Sequence, residues 1–273
     1  MSDTVHEYSK AGYAKGTNEL YNAVRPRYPA ELLTLLRQKL VLEPVNVVEI
    51  GAGTGLFTRA LLEHPDWSGV RALKAIEPSE GMRETFAKYT TDARVELSNG
   101  TFDATGVESG WADVIVIAQA FHWCLDFDAA AAEFARVLKP GGVVALIWSS
   151  ENDDVPWIAQ YRERITRDRM EGMMSLRTGK WRQIFAAPAY TKHFAPAPEE
   201  ESLPYMMHTT VEGMVNRGLS SSNISALEQG EKDAFVADLK EILKRGDGMV
   251  WTDGERGEFE YPNYCKLVVM RRV

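Results

Sequence analysis

The chain has 273 residues, 45% hydrophobic and 26% charged, a globular composition that excludes a disordered or fibrous protein. Its 31 Lys and Arg against 39 Asp and Glu leave a formal charge of −8, which repels phosphate backbones, so nucleic acid is not an expected partner. The longest apolar stretch, about six residues from Val143 to Trp148, falls far short of the roughly 20 that a membrane span needs.

The opening MSDTVHEYSKAGY carries neither an apolar signal core nor an Arg-rich amphipathic pattern, so a cytoplasmic location is expected. Residues 28–42 read as a helix, with Pro29 in its first turn and Leu32, Leu33, Leu36 and Leu40 as an apolar stripe. VNVVEI (45–50) is a short β-branched run stopped by glycines, the pattern of a buried strand. A helix follows over 56–64, then a strand over 73–78, and Ser79 is placed to cap a helix reaching Lys88. Strands are expected at 94–100, 112–119 and 143–148. A helix is expected at 127–138 and a KPGG turn at 139–142. This alternation implies right-handed βαβ crossovers and a mostly parallel sheet. Beyond residue 150 the rhythm changes. Residues 156–175 and 226–245 read as helices, separated by a Pro-rich polar stretch at 194–204, and the carboxyl terminus reads as strands. Late strands of this kind form an antiparallel edge.

The chemistry concentrates at Gly51-Ala52-Gly53-Thr54-Gly55, which ends a strand and opens a helix. Glycines there let the backbone turn sharply and approach a ligand beside a helix N-terminus. Alone, the pattern describes any tight strand–helix turn, but three further features align with it. Glu49 stands inside the apolar strand, where an unpaired carboxylate is costly. Glu77 ends the next strand, 22 residues after Gly55, where an acid meets a ribose hydroxyl pair. Thr101-Phe102-Asp103 follows the third strand, suited to cover a flat base and meet its amino group. Together they point to an adenosine cofactor. Leu56 stands where the dinucleotide fingerprint needs its third glycine, which disfavours a nicotinamide dehydrogenase. Glu49 also suits a cationic ligand better than a pyrophosphate.

These motifs resemble the class I S-adenosylmethionine-dependent methyltransferases over about residues 13–150. E-I-G-A-G-T-G matches the family's first motif, A-I-E-P its second, and R-V-L-K-P-G-G its late turn. Tyr21-x-x-x-Arg25-Pro26-x-Tyr28-Pro29 and Gln119-Ala120-Phe121-His122-Trp123 look, more narrowly, like small-molecule methyltransferases grouped with trans-aconitate methyltransferase. The resemblance implies an α/β, Rossmann-like, doubly wound sheet of seven strands, mostly parallel with an antiparallel edge. It implies one domain over 1–273, made of an N-terminal helical lid (1–44), a cofactor core (45–150), a substrate-side helical insertion (151–250) and edge strands (251–273). It also implies S-adenosylmethionine as cofactor, S-adenosylhomocysteine as product, and a small-molecule acceptor for a monomer or homodimer. By the same analogy the cofactor would meet Tyr21, Arg25, Glu49, Gly51, Ala52, Gly53, Thr54, Glu77, Pro78, Ser79, Met82, Thr101, Phe102, Asp103, Gln119 and Ala120.

Tyr28, His122, Trp123, Trp148 and Trp157 are candidates for the acceptor side. His122 is open to three readings: general base, pocket wall or packing residue. No H-x-x-x-H or C-x-x-C spacing is present, so no metal is expected. Residues 159–193 carry eight Lys and Arg against three acids. That stretch is either a solvated helix face or an attractor for a carboxylate acceptor. A non-catalytic cofactor-binding subunit is the alternative to an enzyme.

Overall fold

The computed structural model describes residues 22, 28–40, 46–167, 175–225 and 227–273. The N-terminal lid expected over 1–44 lies outside the described residues except for Asn22 and 28–40.

Five parallel strands form the first part of the sheet: β1 (Asn46–Ile50), β2 (Ala72–Ile76), β3 (Val95–Ser98), β4 (Ala112–Ala118) and β5 (Leu138–Glu151). The central β1 and β4 are short, rich in Val, Ile and Ala, and almost wholly buried, as central parallel strands must be. With β6 (Glu199–Thr210), β7 (Trp251–Asp253) and β8 (Glu258–Arg271), the order is β3-β2-β1-β4-β5-β8-β6, and β7 pairs with β8. The chain steps outward from β1 to β3 and then returns to the other side of β1. This switch point opens a crevice between the carboxyl ends of β1 and β4.

One face of the sheet is covered by α1 (Ala30–Gln38), α2 (Leu56–Glu63) and α3 (Glu80–Tyr89), through Leu32, Leu36, Phe57, Leu61 and Phe86. The other is covered by α4 (Phe127–Val137), α6 (Pro188–His193) and the 3-10 turn before α6 (Lys180–Ala186), through Ala131, Phe134, Tyr190 and Trp181. A third apolar cluster joins α5 (Pro156–Arg167), α7 (Val211–Leu219) and α8 (Gln229–Arg245) to Phe259 and Tyr261 of β8.

The expected seven-strand path is present, and the three-residue β7 adds an eighth strand. The antiparallel strand is β8, and β6 adds outside it as the edge. The sequence reading made 194–204 a polar connection. The structure instead runs β6 through it, in register with β8 from Glu199↔Val269 to Thr210↔Glu258. Leu203, Tyr205 and Met207 alternate inward, and the leading Glu199-Glu200-Glu201 hid that period. Pro204 is tolerated because an edge strand has one side without a ladder.

Candidate active site

The loop from β1 to α2 is built on left-handed glycines. Gly51 has φ +74° and Gly55 φ +80°. A Cβ on Gly51 would stand 2.5 Å from the Ala120 Cβ, so only glycine lets this loop pack against the end of β4. The amides of Gly51 and Ala52 donate to the Ile76 carbonyl at 2.7 and 3.1 Å, tying the loop to β2. Gly53 faces open space, with nothing within 4 Å of where its Cβ would be. Thr54 Oγ1 is buried and has no hydrogen-bond partner among the described residues. Both are marks of a cradle shaped for a ligand.

Two buried carboxylates flank the loop. Glu77 is 7% exposed; its Oε2 accepts from the Gly53 amide at 2.9 Å and its Oε1 from the Ser79 amide at 2.8 Å. Burial raises its pKa, and those two amides oppose the rise. The carboxylate is therefore fixed in orientation, with further lone pairs on both oxygens for a vicinal diol. Glu49 is buried at the end of β1, where Oε2 accepts from the Thr58 hydroxyl. Burial pushes its carboxyl up to about 8, against the pull of Thr58 and Arg59. At neutral pH it is mostly protonated, and a cation placed beside it would favour its ionisation.

A cleft lies over this crevice. Twelve of the expected cofactor residues line it: Glu49, Gly51, Ala52, Gly53, Thr54, Glu77, Pro78, Met82, Thr101, Phe102, Gln119 and Ala120. Tyr28 and Trp123 of the expected acceptor side line it too, as do Ile50, Leu56, Phe57, Gly100 and Ala118, which the sequence reading did not single out. Phe57 is legible only through its partner, since its ring meets Tyr28 edge-on at 5.0 Å. Ser79 stands behind the wall, orienting Glu77 and capping α3 through Met82 N–H at 3.4 Å. Asp103 is off the lining and accepts from the Thr101 hydroxyl at 2.7 Å. Tyr21 and Arg25 lie outside the described residues.

Gln119 has φ +57°, the one non-glycine residue in the left-handed region among those described. Its side-chain amide donates to the Ser149 carbonyl at 2.7 Å, holding the start of the A-F-H-W turn against β5. Strain at a cleft wall, held in place by such a bond, is the usual mark of a functional turn.

Residues 48–146 match the methyltransferase domain family. An uncharacterised methyltransferase-like protein of Schizosaccharomyces pombe is 30% identical over 226 residues, 82% of this chain and 83% of that one. The chain belongs to the class I S-adenosylmethionine-dependent methyltransferases. The YcgJ protein of Bacillus subtilis shares the fold, with a TM-score of 0.55 at 17% identity over 89% of this chain and 98% of that one. So does a phosphoethanolamine N-methyltransferase of Haemonchus contortus solved with phosphomonomethylethanolamine and S-adenosylhomocysteine. Its TM-score is 0.50 at 15% identity, over 92% of this chain and 56% of that one. S-adenosylmethionine is the cofactor of this family, and the glycine cradle, the unpartnered Thr54 hydroxyl and the fixed Glu77 carboxylate fit its polar groups.

On the acceptor side of the methyltransferase, the structure separates residues that the sequence grouped. Trp148 is buried and its indole N–H donates to His122 Nδ1 at 3.3 Å. With Nδ1 accepting, the neutral imidazole carries its proton on Nε2. Trp157 is not brought to the cleft. It is fully buried in the third apolar cluster, edge-on to Phe259 at 5.4 Å, because α5 turns its apolar face toward β8. The basic stretch is largely paired within the protein: Arg164 with Asp238 at 2.6 Å, Arg177 with Asp153 at 2.7 Å, Arg182 with Glu200 at 2.6 Å, and Arg162 with Glu151 at 2.6 Å. Arg169 lies outside the described residues. No helix among the described residues is long and apolar enough to cross a membrane.

Proposed function

We propose that this methyltransferase moves a methyl group to a small-molecule acceptor by in-line displacement that needs no metal, acting in the cytoplasm. The observation that carries the reading is the Glu77 carboxylate, locked by the Gly53 and Ser79 amides at the mouth of the glycine loop. When bound, S-adenosylmethionine supplies a methyl group on a sulfonium, a leaving group that needs no further activation.

Glu77 accepts from the ribose hydroxyls with the lone pairs its backbone donors leave. The Thr54 hydroxyl and the loop amides bind the polar edge of the cofactor. Glu49 compensates the cationic amino-acid end. Met82 and Phe102, both nearly fully buried, cover the adenine faces, and Gln119 and Ala120 close the cleft at β4. Tyr28 and Trp123 wall the acceptor side and exclude water. Holding donor and acceptor in line in a dry cleft supplies most of the rate expected of such a site. The small acceptor bound by the Haemonchus fold neighbour supports a small-molecule substrate.

Calorimetric titration tests the cofactor half of the reading. S-adenosylhomocysteine is expected to bind and NAD is not; the opposite result removes the reading. Mass spectrometry after incubation with S-adenosylmethionine and an acceptor panel tests the transfer. Binding without turnover on any acceptor would favour a non-catalytic cofactor-binding subunit.

A further inference from the structure

A second polar centre lies beyond the cofactor cleft, at the carboxyl end of β5. Glu151 Oε1 accepts from Arg217 Nη2 at 2.9 Å and from the Tyr261 hydroxyl at 3.1 Å, and Oε2 accepts from Arg162 Nη1 at 2.6 Å. Arg177 forks onto Asp153 at 2.7 and 2.9 Å and reaches the Glu151 carbonyl at 3.4 Å. Among the described residues, three guanidiniums thus face two carboxylates, one negative charge fewer than the cluster's positive charge.

The shortfall coincides with an unfilled hydrogen bond. Arg217 is 7% exposed, and its Nη1 is buried with no partner among the described residues. Its guanidinium lies 5.3 Å from the centre of the Tyr261 ring, so Glu151 and Tyr261 hold the fork in one orientation. Asn263, paired with Glu151 across β5 and β8, also has a buried Oδ1 with no partner among the described residues. Native interiors rarely leave such groups unmet, least of all on a charged side chain.

The position is that of an acceptor subsite. Ser149 stands two residues before Glu151, on the same face of β5. Its carbonyl accepts from Gln119, which lines the cofactor cleft. Glu151, which holds the orphan guanidinium, closes β5 at the carboxyl ends of the strands, the side of the sheet on which this architecture binds ligands.

We propose that Arg217 is the residue that recognises the methyl acceptor, and that it takes an oxyanion, a carboxylate or a phosphate, carried by that acceptor. The proposal rests on the methyl-transfer reading above and names its acceptor class. An oxyanion on Nη1 fills the missing hydrogen bond and balances the charge in one step. Arginine suits the task because its planar fork keeps one edge on Glu151 while offering the other to the ligand.

Isothermal titration into the protein loaded with S-adenosylhomocysteine tests this with two matched pairs: succinate against succinamide, and phosphoethanolamine against ethanolamine. At least one anion is expected to bind, its anion-free partner is not, and the pair that responds separates carboxylate from phosphate. Arg217→Lys keeps the charge and loses the fork, and is expected to weaken the anion tenfold or more without changing S-adenosylhomocysteine affinity. The proposal is overturned if neither anion binds, if the anion-free partners bind as well, or if a folded Arg217→Lys protein binds the anion unchanged. A crystal of the anion complex checks the site without any variant, and an anion found away from Arg217 Nη1 overturns it. If S-adenosylhomocysteine itself does not bind, the methyl-transfer reading falls, while the same anion titrations on the cofactor-free protein still decide the role of Arg217.

Discussion

Glu49, buried at the end of β1, and Glu151, partly buried at the end of β5, have pKa values shifted in opposite directions. Glu49 has a hydroxyl as its hydrogen-bonding partner, and burial raises it to about 8. Burial also pushes Glu151 upward, but Arg217 and Arg162 outweigh it and hold the group at about 2. The cofactor side of the crevice is thus a lining of backbone amides and carboxyl groups waiting for a cation. The end of β5, proposed above as the acceptor side, is a prepaired ionic cluster with one guanidinium nitrogen unpartnered among the described residues. Two chemistries can meet between β1 and β5 because each side carries its own electrostatics before any ligand arrives.

Removing Glu151 breaks that contrast most severely. Glu151→Ala leaves Arg217 buried without its carboxylate, and breaking a buried pair by losing one partner costs about 3–5 kcal/mol. Urea denaturation at neutral pH is expected to show that loss. The pH dependence follows from the shift. The folded pKa of about 2 lies below the ordinary 4.5, so the stability Glu151 contributes is present above pH 4.5 and lost as pH falls toward 2. The variant should lose less stability than the natural protein across that acid window. Equal stability at neutral pH would mean that the cluster is solvated and the comparison with Glu49 fails.

The next largest effect lies on the other side. Glu77→Ala strands the Gly53 and Ser79 amides and removes the acceptor for the ribose hydroxyls. Losing a charged acceptor is worth about 1.5–3 kcal/mol, roughly ten- to a hundredfold in affinity. Calorimetry with S-adenosylhomocysteine on the folded variant checks it, and unchanged affinity removes the role given to Glu77.

The two sides also differ in how far the sequence discloses them. The cofactor side is legible because its parts are local. One strand, one glycine loop and the acid ending the next strand carry the signal, and twelve of the expected residues meet on one cleft. The acceptor side is not local. Glu151 meets Arg217 across 66 positions and Tyr261 across 110, and no spacing rule joins them. Arg162 and Arg177 were visible as part of a basic run, but not that carboxylates of the same chain take them up. Trp157 misled because an aromatic shortly after a strand has the same local signature whether α5 turns it to the cleft or to Phe259. In β6 the three leading glutamates masked an inward alternation that appears only once Leu203, Tyr205 and Met207 face β8.

A third test sharpens the contrast by neutralising Glu49. Its folded pKa of about 8 lies above the ordinary 4.5, so the native state holds the proton more tightly. The stability linked to that proton is full below pH 4.5 and is lost as pH rises toward 8, the reverse of Glu151. Glu49→Gln mimics the protonated acid. It should match the natural protein near pH 5, exceed it in urea melts at pH 8, and lack the slope between. It should also weaken S-adenosylmethionine and S-adenosylhomocysteine alike, because both carry the cationic amino-acid end that Glu49 is proposed to compensate. A variant that keeps the full slope would show that Glu49 is ionised throughout.

The smallest expected effect concerns His122, whose ring accepts from Trp148 of β5 and lies against Trp123 of the cleft wall. General base catalysis is worth about 10²–10⁴ in rate. A base needs a free lone pair facing the acceptor. The Nδ1 lone pair of His122 is taken by the Trp148 indole N–H at 3.3 Å, and the neutral ring then presents an N–H at Nε2. Moving the proton to Nδ1 would set two donors against each other inside a buried wall. We therefore predict that His122 acts as a donor and a spacer, not as the base. His122→Gln, which can keep a donor at the distal position, should lower kcat by about threefold and leave the pH–rate profile unchanged, far from the loss a missing base brings. Trp148→Phe frees Nδ1 and should move the profile more than it moves kcat. A hundredfold loss in His122→Gln, with the acid limb of the profile gone, would restore His122 as the base and make Trp148 the group that orients it.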